Sequence, residues 1–221
     1  MPAGKIEAAE VNRVLAEIAD PETGRDIVLM EQIRGIEITD SALSIKLGLT
    51  THSAPLWDET KDLVEQRLRE AFPGGQDVNV EIVPHDRPAE KIGQIGIAAK
   101  SVVAVGSGKG GVGKSTIAVS LAYGLKRAGC KVGLMDADVY GPSVPHLLGI
   151  EGRPEVVDKQ IQPLEKDGLK VMSMGFLVPP EEAVVWRGPM LHGAITQFLR
   201  DTAWGDLDYL IIDMPDRKSV V

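Results

Sequence analysis

A chain of 221 residues, 43% hydrophobic and 25% charged, has an ordinary globular composition and holds material for one medium domain or two small ones at about 100–200 residues each. Its formal charge of -8 argues against a bulk electrostatic hold on nucleic acid or an anionic membrane, so neither is an expected partner. The single cysteine, Cys130, excludes an intramolecular disulfide framework or a multi-cysteine metal site within one chain.

No apolar run approaches the roughly 20 residues of a membrane span, and Met1 to Glu10 carries no secretion signal, which makes the cytoplasm the expected location. Glu7 to Ile18 places Val11, Val14, Leu15 and Ile18 at helical spacing before Asp20-Pro21 stops the run. Ile33 to Ile38 and Leu43 to Leu49 read as strands joined by a Thr39-Asp40-Ser41 turn. Asp58 to Phe72 predicts a second helix with Leu63, Val64 and Leu68 on one face, ended by Pro73-Gly74-Gly75. Val78, Val80 and Ile82 then alternate as in a half-buried strand. Residues 1–83 thus form a small α-β-β-α-β domain, and the Pro- and Gly-containing stretch over 84–100 reads as a linker.

From 101 to 221 the pattern becomes strand, Gly-rich loop, helix, strand, the start of a doubly wound parallel α/β sheet. Val102 to Val105 suits a strand buried on both faces. It leads directly into Gly108-Lys109-Gly110-Gly111-Val112-Gly113-Lys114-Ser115-Thr116, a phosphate-binding loop. Glycines let successive backbone N–H groups converge on phosphate oxygens, and the following helix N-terminus adds partial positive charge. Lys114 would neutralise the β- and γ-phosphates of ATP, and the Ser115 hydroxyl would be a Mg²⁺ ligand. The helix that follows turns Ala118, Leu121, Ala122 and Leu125 inward and ends at Gly129.

The next strand, Lys131 to Met135, ends in Asp136-Ala137-Asp138, beside the ligand crevice of such a sheet. Asp138 is the candidate for orienting the attacking water, and Asp136 for a supporting role near Mg²⁺; either could instead cap the next segment. Tyr209 to Asp213 reads as the Walker B strand, with Asp213 holding a Mg²⁺-bound water. Cys130 starts a strand at the edge opposite the phosphate loop and reads as a buried structural thiol. His52, His85, His146 and His192 show no metal-ligand spacing.

The Lys109-Gly-Gly-x-Gly-Lys114-Ser115 pattern resembles the deviant Walker A class, which includes MinD, ParA and relatives of nitrogenase iron protein. That resemblance implies a homodimer in which Lys109 reaches the partner's nucleotide. Asp136 to Ser143, Trp186 to Met190 and Trp204 to Leu210, together with the loop, resemble the Mrp/ApbC-type iron–sulfur cluster carrier ATPases. The first domain resembles the PaaD/SufT-like iron–sulfur assembly domain through Asp20-Pro21-Glu22-Thr23-Gly24 and Leu49-Thr50-Thr51. The family implies ATP hydrolysis coupled to carrying a cluster, [4Fe–4S] in the intact protein, to recipient apoproteins. A MinD/ParA-type positioning ATPase and an inactive nucleotide-binding fragment are the alternatives.

Three departures from the family pattern stand out. Ala54 precedes Pro55 where the small domain's relatives commonly carry Cys, which turns the expectation from metal chemistry toward docking. Ser120 stands where relatives often show Asn. After Asp213-Met214-Pro215 the family pattern stops, leaving out switch II and a Cys-x-x-Cys pair. The ATPase domain is therefore expected to be truncated after Walker B, with Asp216 to Val221 foreign to it, the rival being a genuine truncated paralogue.

Overall fold

In a computed structural model of the chain, residues 6–92, 95–138, 141–176 and 188–215 are described. They fall into two units that divide between Arg87 and Pro88.

The first unit has the order α-β-β-α-β expected from the hydrophobic pattern. Helix α1 (Ala8–Leu15) opens where the Glu10 carboxylate accepts the Glu7 backbone N–H, and it buries Val11 and Leu15. It ends before Ile18, which is buried beyond the helix and ties back through the Ile27 N–H to its own carbonyl. Strands β1 (Ile33–Ile38) and β2 (Ala42–Leu49) pair antiparallel, and β3 (Asp77–Pro84) joins β2 in parallel after helix α2 (Trp57–Ala71). Alternation along β2 sends Leu43, Ile45, Leu47 and Leu49 inward, where they pack with Val78 and Val80 of β3 and Val64 and Leu68 of α2. Leu63 departs from expectation and is 42% exposed. At 3.6 residues per turn it lies about 100° round from Val64, outside the stripe formed by Thr60, Val64 and Leu68.

The second unit is built on a six-stranded sheet in the order β4-β5-β11-β6-β10-β9. Its members are β4 (Lys91–Ile92), β5 (Ile97–Val105), β6 (Val132–Asp136), β9 (Leu164–Lys166), β10 (Leu169–Ser173) and β11 (Leu207–Asp213). The four inner strands run parallel, and β4 and β9 flank them antiparallel. A short hairpin, β7 (Val156–Val157) and β8 (Gln160–Ile161), precedes β9. The sheet is a parallel α/β core with helices on both faces. Helix α5 (Gly188–Asp201) packs Ile195, Phe198 and Leu199 against Met135, Met172, Leu210 and Ile212. The residues that alternate with these, Leu134 and Ile211, face the other side, where α3 (Lys114–Arg127) packs on β6 and β11.

Three expectations are corrected here. The stretch over 84–100 is not a plain linker, because Pro84 closes β3 and residues 91–92 and 97–100 already belong to a hairpin of the second sheet. Periodicity missed it because two residues of β4 are too few to show an alternation. Strand β5 is not buried on both faces: Val102 is 39% exposed, since it aligns with Leu210 on the α5 side while Phe198 and its neighbours lie over Leu210, Ile212 and the inner strands. On α3 the inward stripe is Ala118 and Ala122, whereas Leu121 is 36% exposed. Two alanines let the helix approach the sheet closely, and Leu121 falls about 100° from Ala122. The helix ends as its Gly predicts: the Gly129 and Cys130 N–H groups close onto the Lys126 and Leu125 carbonyls.

Candidate functional site

Strand order, more than any single residue, creates the site. Strand β11 inserts between β5 and β6, so its last residue, Asp213, pairs in register with Val105 on one side and Asp136 on the other. The phosphate loop leaves β5 just beyond Val105, and α3 begins at Lys114. Gly111 and Gly113 sit at φ +74° and +87°, a left-handed backbone that side chains with a Cβ rarely adopt, so the loop needs glycine at both positions. A cleft of about 720 Å³ opens here, lined among others by Gly111, Lys114, Ser115, Asp138 and His146.

Lys114 is buried, and its Nζ donates to Asp213 Oδ1 at 2.5 Å while lying 3.4 Å from Ser115 Oγ. Asp213 is wholly buried, and its Oδ2 has no hydrogen-bond partner among the described residues. A buried carboxylate oxygen without a donor is costly, and a cation is the group that would satisfy it. With the Ser115 hydroxyl nearby, the donor set of hard oxygens fits Mg²⁺. Lys109 is exposed, and its ammonium meets no partner among the described residues; its backbone carbonyl accepts from Ser107 Oγ. Gly108, Gly110, Val112 and Thr116 are exposed along the same loop and helix start.

Asp136, which ends β6, and Asp138 just beyond it are placed differently. Asp136 is fully buried; its Oδ1 accepts the Asp138 N–H at 3.0 Å, and its Oδ2 accepts the Val144 N–H at 3.1 Å and Ser173 Oγ at 3.2 Å. Burial, with the Asp213 charge adding, raises its pKa to about 6 despite those hydrogen bonds. Asp136 thereby anchors the loop that follows β6, with both of its oxygens engaged by donors of its own unit. Asp138 lines the cleft, and its Oδ1 accepts the Gly141 N–H at 3.2 Å.

Sequence reasoning missed Ser173, because a lone serine at a strand end carries no pattern; only the pairing of β10 with β6 sets it beside Asp136. It also passed over His146, which lines the cleft from α4 (Val144–Leu148). Val139, Tyr140, Trp186, Arg187 and Asp216 to Val221 lie outside the described residues. Cys130 is buried as expected, 2% exposed, and burial, with the Asp208 charge, pushes its thiol up to about 11.

The first unit has its own polar cluster, centred on the Asp20-Pro21-Glu22 segment. Asp20 accepts from Thr23 N and Oγ1, Gln32 Nε2 and Arg87 Nη1. Arg87 also reaches Glu22 at 3.3 Å, and Glu22 accepts from Thr50 Oγ1. Burial alone would raise the Asp20 pKa, but these donors and the Arg87 charge outweigh it and hold the carboxyl below its ordinary value. Arg87 therefore supplies the positive charge there. No group of three or more His, Cys, Asp or Glu able to hold a metal ion occurs among the described residues, and no helix among them is long and apolar enough to cross a membrane.

A family model described as the NUBPL iron-transfer P-loop NTPase matches residues 98–218, and one described as iron-sulfur cluster assembly protein matches residues 8–82. An iron-sulfur cluster carrier protein of Deinococcus radiodurans is 47% identical over 209 residues, covering 92% of this chain and 58% of that protein. The Synechocystis protein of the same name is 41% identical over 214 residues, covering 91% and 59%. An Arabidopsis thaliana chloroplastic Fe-S cluster assembly factor, HCF101, is 42% identical over 93% of this chain and 40% of its own. A solved nucleotide-binding protein from Archaeoglobus fulgidus, in complex with ADP, aligns at 45% identity and a TM-score of 0.46 over 53% of this chain and 45% of its own. The chain spans a little under three fifths of the length of the first two relatives. With more than half of its residues matched, the chain belongs to the NUBPL iron-transfer P-loop NTPase family.

Proposed function

We propose that this chain carries the nucleotide-binding part of an ATP-hydrolysing iron–sulfur cluster carrier, which works as a cytoplasmic homodimer and hands clusters to apoproteins. The observation that carries this is the Lys114–Asp213 pair under the phosphate loop, with one Asp213 oxygen unpartnered among the described residues and Ser115 beside the lysine. On nucleotide binding, Lys114 exchanges Asp213 for the β- and γ-phosphates, a charge-for-charge replacement that leaves the buried lysine compensated throughout. Ser115 and the freed Asp213 would hold Mg²⁺, which supplies charge neutralisation to the phosphates when bound. Asp138, facing the cleft, orients the water that attacks the γ-phosphorus. Lys109, exposed and without a side-chain partner among the described residues, is suited to reach a second copy's nucleotide.

The iron–sulfur cargo is supported by the matched families and by the relatives' names. This chain's one thiol, buried and with a raised pKa, is unsuited to bind it. The first unit, with Arg87 filling its acidic cluster, is suited to docking rather than to metal chemistry.

The test is Lys109→Ala in the full-length protein. ATP hydrolysis should fall to background while ATP binding persists, and anaerobic transfer of a [4Fe–4S] cluster to an apo-enzyme should lose its ATP dependence. Normal hydrolysis by this variant would overturn the in-trans role of Lys109.

A further inference from the structure

We propose that Ser173 and Gly175, at the end of β10, are positioning residues for nucleotide hydrolysis: they fix the loop that presents Asp138 and walls the cleft. This inference rests on the ATPase reading above. Asp138 and the Gly141–Ser143 segment belong to that wall, and local hydrogen bonds tie the segment together. Asp138 Oδ1 accepts the Gly141 N–H, and Ser143 Oγ donates to the Gly141 carbonyl. The wall hangs on Asp136, which holds its two ends through the Asp138 and Val144 N–H groups.

What sets Asp136 itself is Ser173. The two residues pair in register across β6 and β10, and Ser173 Oγ donates to Asp136 Oδ2 at 3.2 Å. The same oxygen accepts the Gly175 N–H at 3.1 Å, so one fully buried hydroxyl joins the turn after β10 to the anchor of the loop. Gly175 makes the second connection by contact. A Cβ there would sit 2.8 Å from Pro142 Cγ and 2.9 Å from Pro142 Cβ, closer than real Cβ atoms come, so a side chain must displace Pro142 and with it the cleft wall. The turn cannot absorb the displacement, because Met174 and Phe176 on either side are buried.

The two residues should therefore fail differently. Ser173→Ala removes a donor from the carboxylate that orients the Asp138 segment, so kcat should fall about tenfold or more with KM changed much less. Gly175→Ala pushes on the wall, so the Kd for a fluorescent ADP analogue and KM for ATP should both rise about tenfold. Because the colliding atoms belong to Pro142, Pro142→Gly in the Gly175→Ala background should bring Kd back to within about threefold of the parent. General destabilisation produces neither the kcat-against-KM split nor this recovery. The inference is overturned if Gly175→Ala binds and turns over as the parent does, or if the double variant stays as weak as the single one. Should Gly175→Ala fail to fold by circular dichroism, Ser173→Ala decides alone, and parent-like kcat in it sinks the proposal. A parent protein that neither binds nor hydrolyses ATP would instead remove the ATPase reading, an outcome separable from both.

Discussion

Asp20 in the first unit and Asp213 in the second are both buried carboxylates within family motifs, yet their surroundings differ in kind. Four donors converge on Asp20, and the Arg87 guanidinium balances its charge. Asp213 takes one ion pair from Lys114 and leaves its second oxygen without a donor among the described residues. A buried carboxylate satisfied on every side holds a structure together. One left half-satisfied beside a buried lysine has an oxygen to spare for an incoming cation. Under the proposed function the same residue type serves architecture in one unit and ligand exchange in the other, and the count of donors around it separates the two.

The hardest way to break this contrast is Lys114→Ala. It removes the group meant for the phosphates, so Mg²⁺-ATP affinity should fall about 100-fold or more by fluorescence titration. It also strands the wholly buried Asp213, at a cost of roughly 3–5 kcal/mol in denaturant unfolding of the second unit. Retained tight ATP binding would show that Lys114 is not exchanged between carboxylate and phosphate.

A pH comparison sharpens the contrast within the carboxylates. The Asp20 pKa is lowered on folding, so its contribution is full above the unfolded value of about 3.9 and disappears as pH falls through the lower folded value. Asp136 is raised to about 6, so the folded state binds the proton more tightly than the unfolded one. Its effect has the opposite sign: stability declines as pH rises from about 4 to 6, then levels off. Urea unfolding across pH 3 to 7 should show Asp20→Asn losing stability most at neutral pH, while Asp136→Asn flattens the decline between about 4 and 6. Parallel pH profiles for both variants would refute the difference.

Cys130 bears on the contrast least. With its thiol raised to about 11 by burial first and Asp208 second, alkylation by iodoacetamide at pH 8 should run about a hundredfold or more slower in the folded chain than in urea. Anaerobic reconstitution of this chain should accordingly leave no stable [4Fe–4S] cluster, which takes four thiolates. A stoichiometric cluster that vanishes in Cys130→Ser would contradict that.

Much of this was legible in the order of residues because its causes are local. A Gly-rich loop between an apolar run and a helical pattern needs left-handed backbone and a helix start within a few residues, and Gly111, Gly113 and Lys114 supply them in sequence. The α-β-β-α-β order of the first unit followed from periods of 2 and 3.6, and the strand ending in Asp213 from its apolar run. What the sequence could not decide depends on which strands become neighbours. That β11 inserts between β5 and β6 brings Asp213 to Lys114, 99 residues away in the chain. The pairing of β10 with β6 makes Asp136 the anchor of a loop, through a serine that no motif marks. Arg87, read as part of a linker, became the counter-charge of Asp20 for the same reason. Local chemistry is set by spacing along the chain, whereas the partner of a buried charge is set by whichever segment the packed core brings beside it, and a core is assembled from residues far apart in sequence.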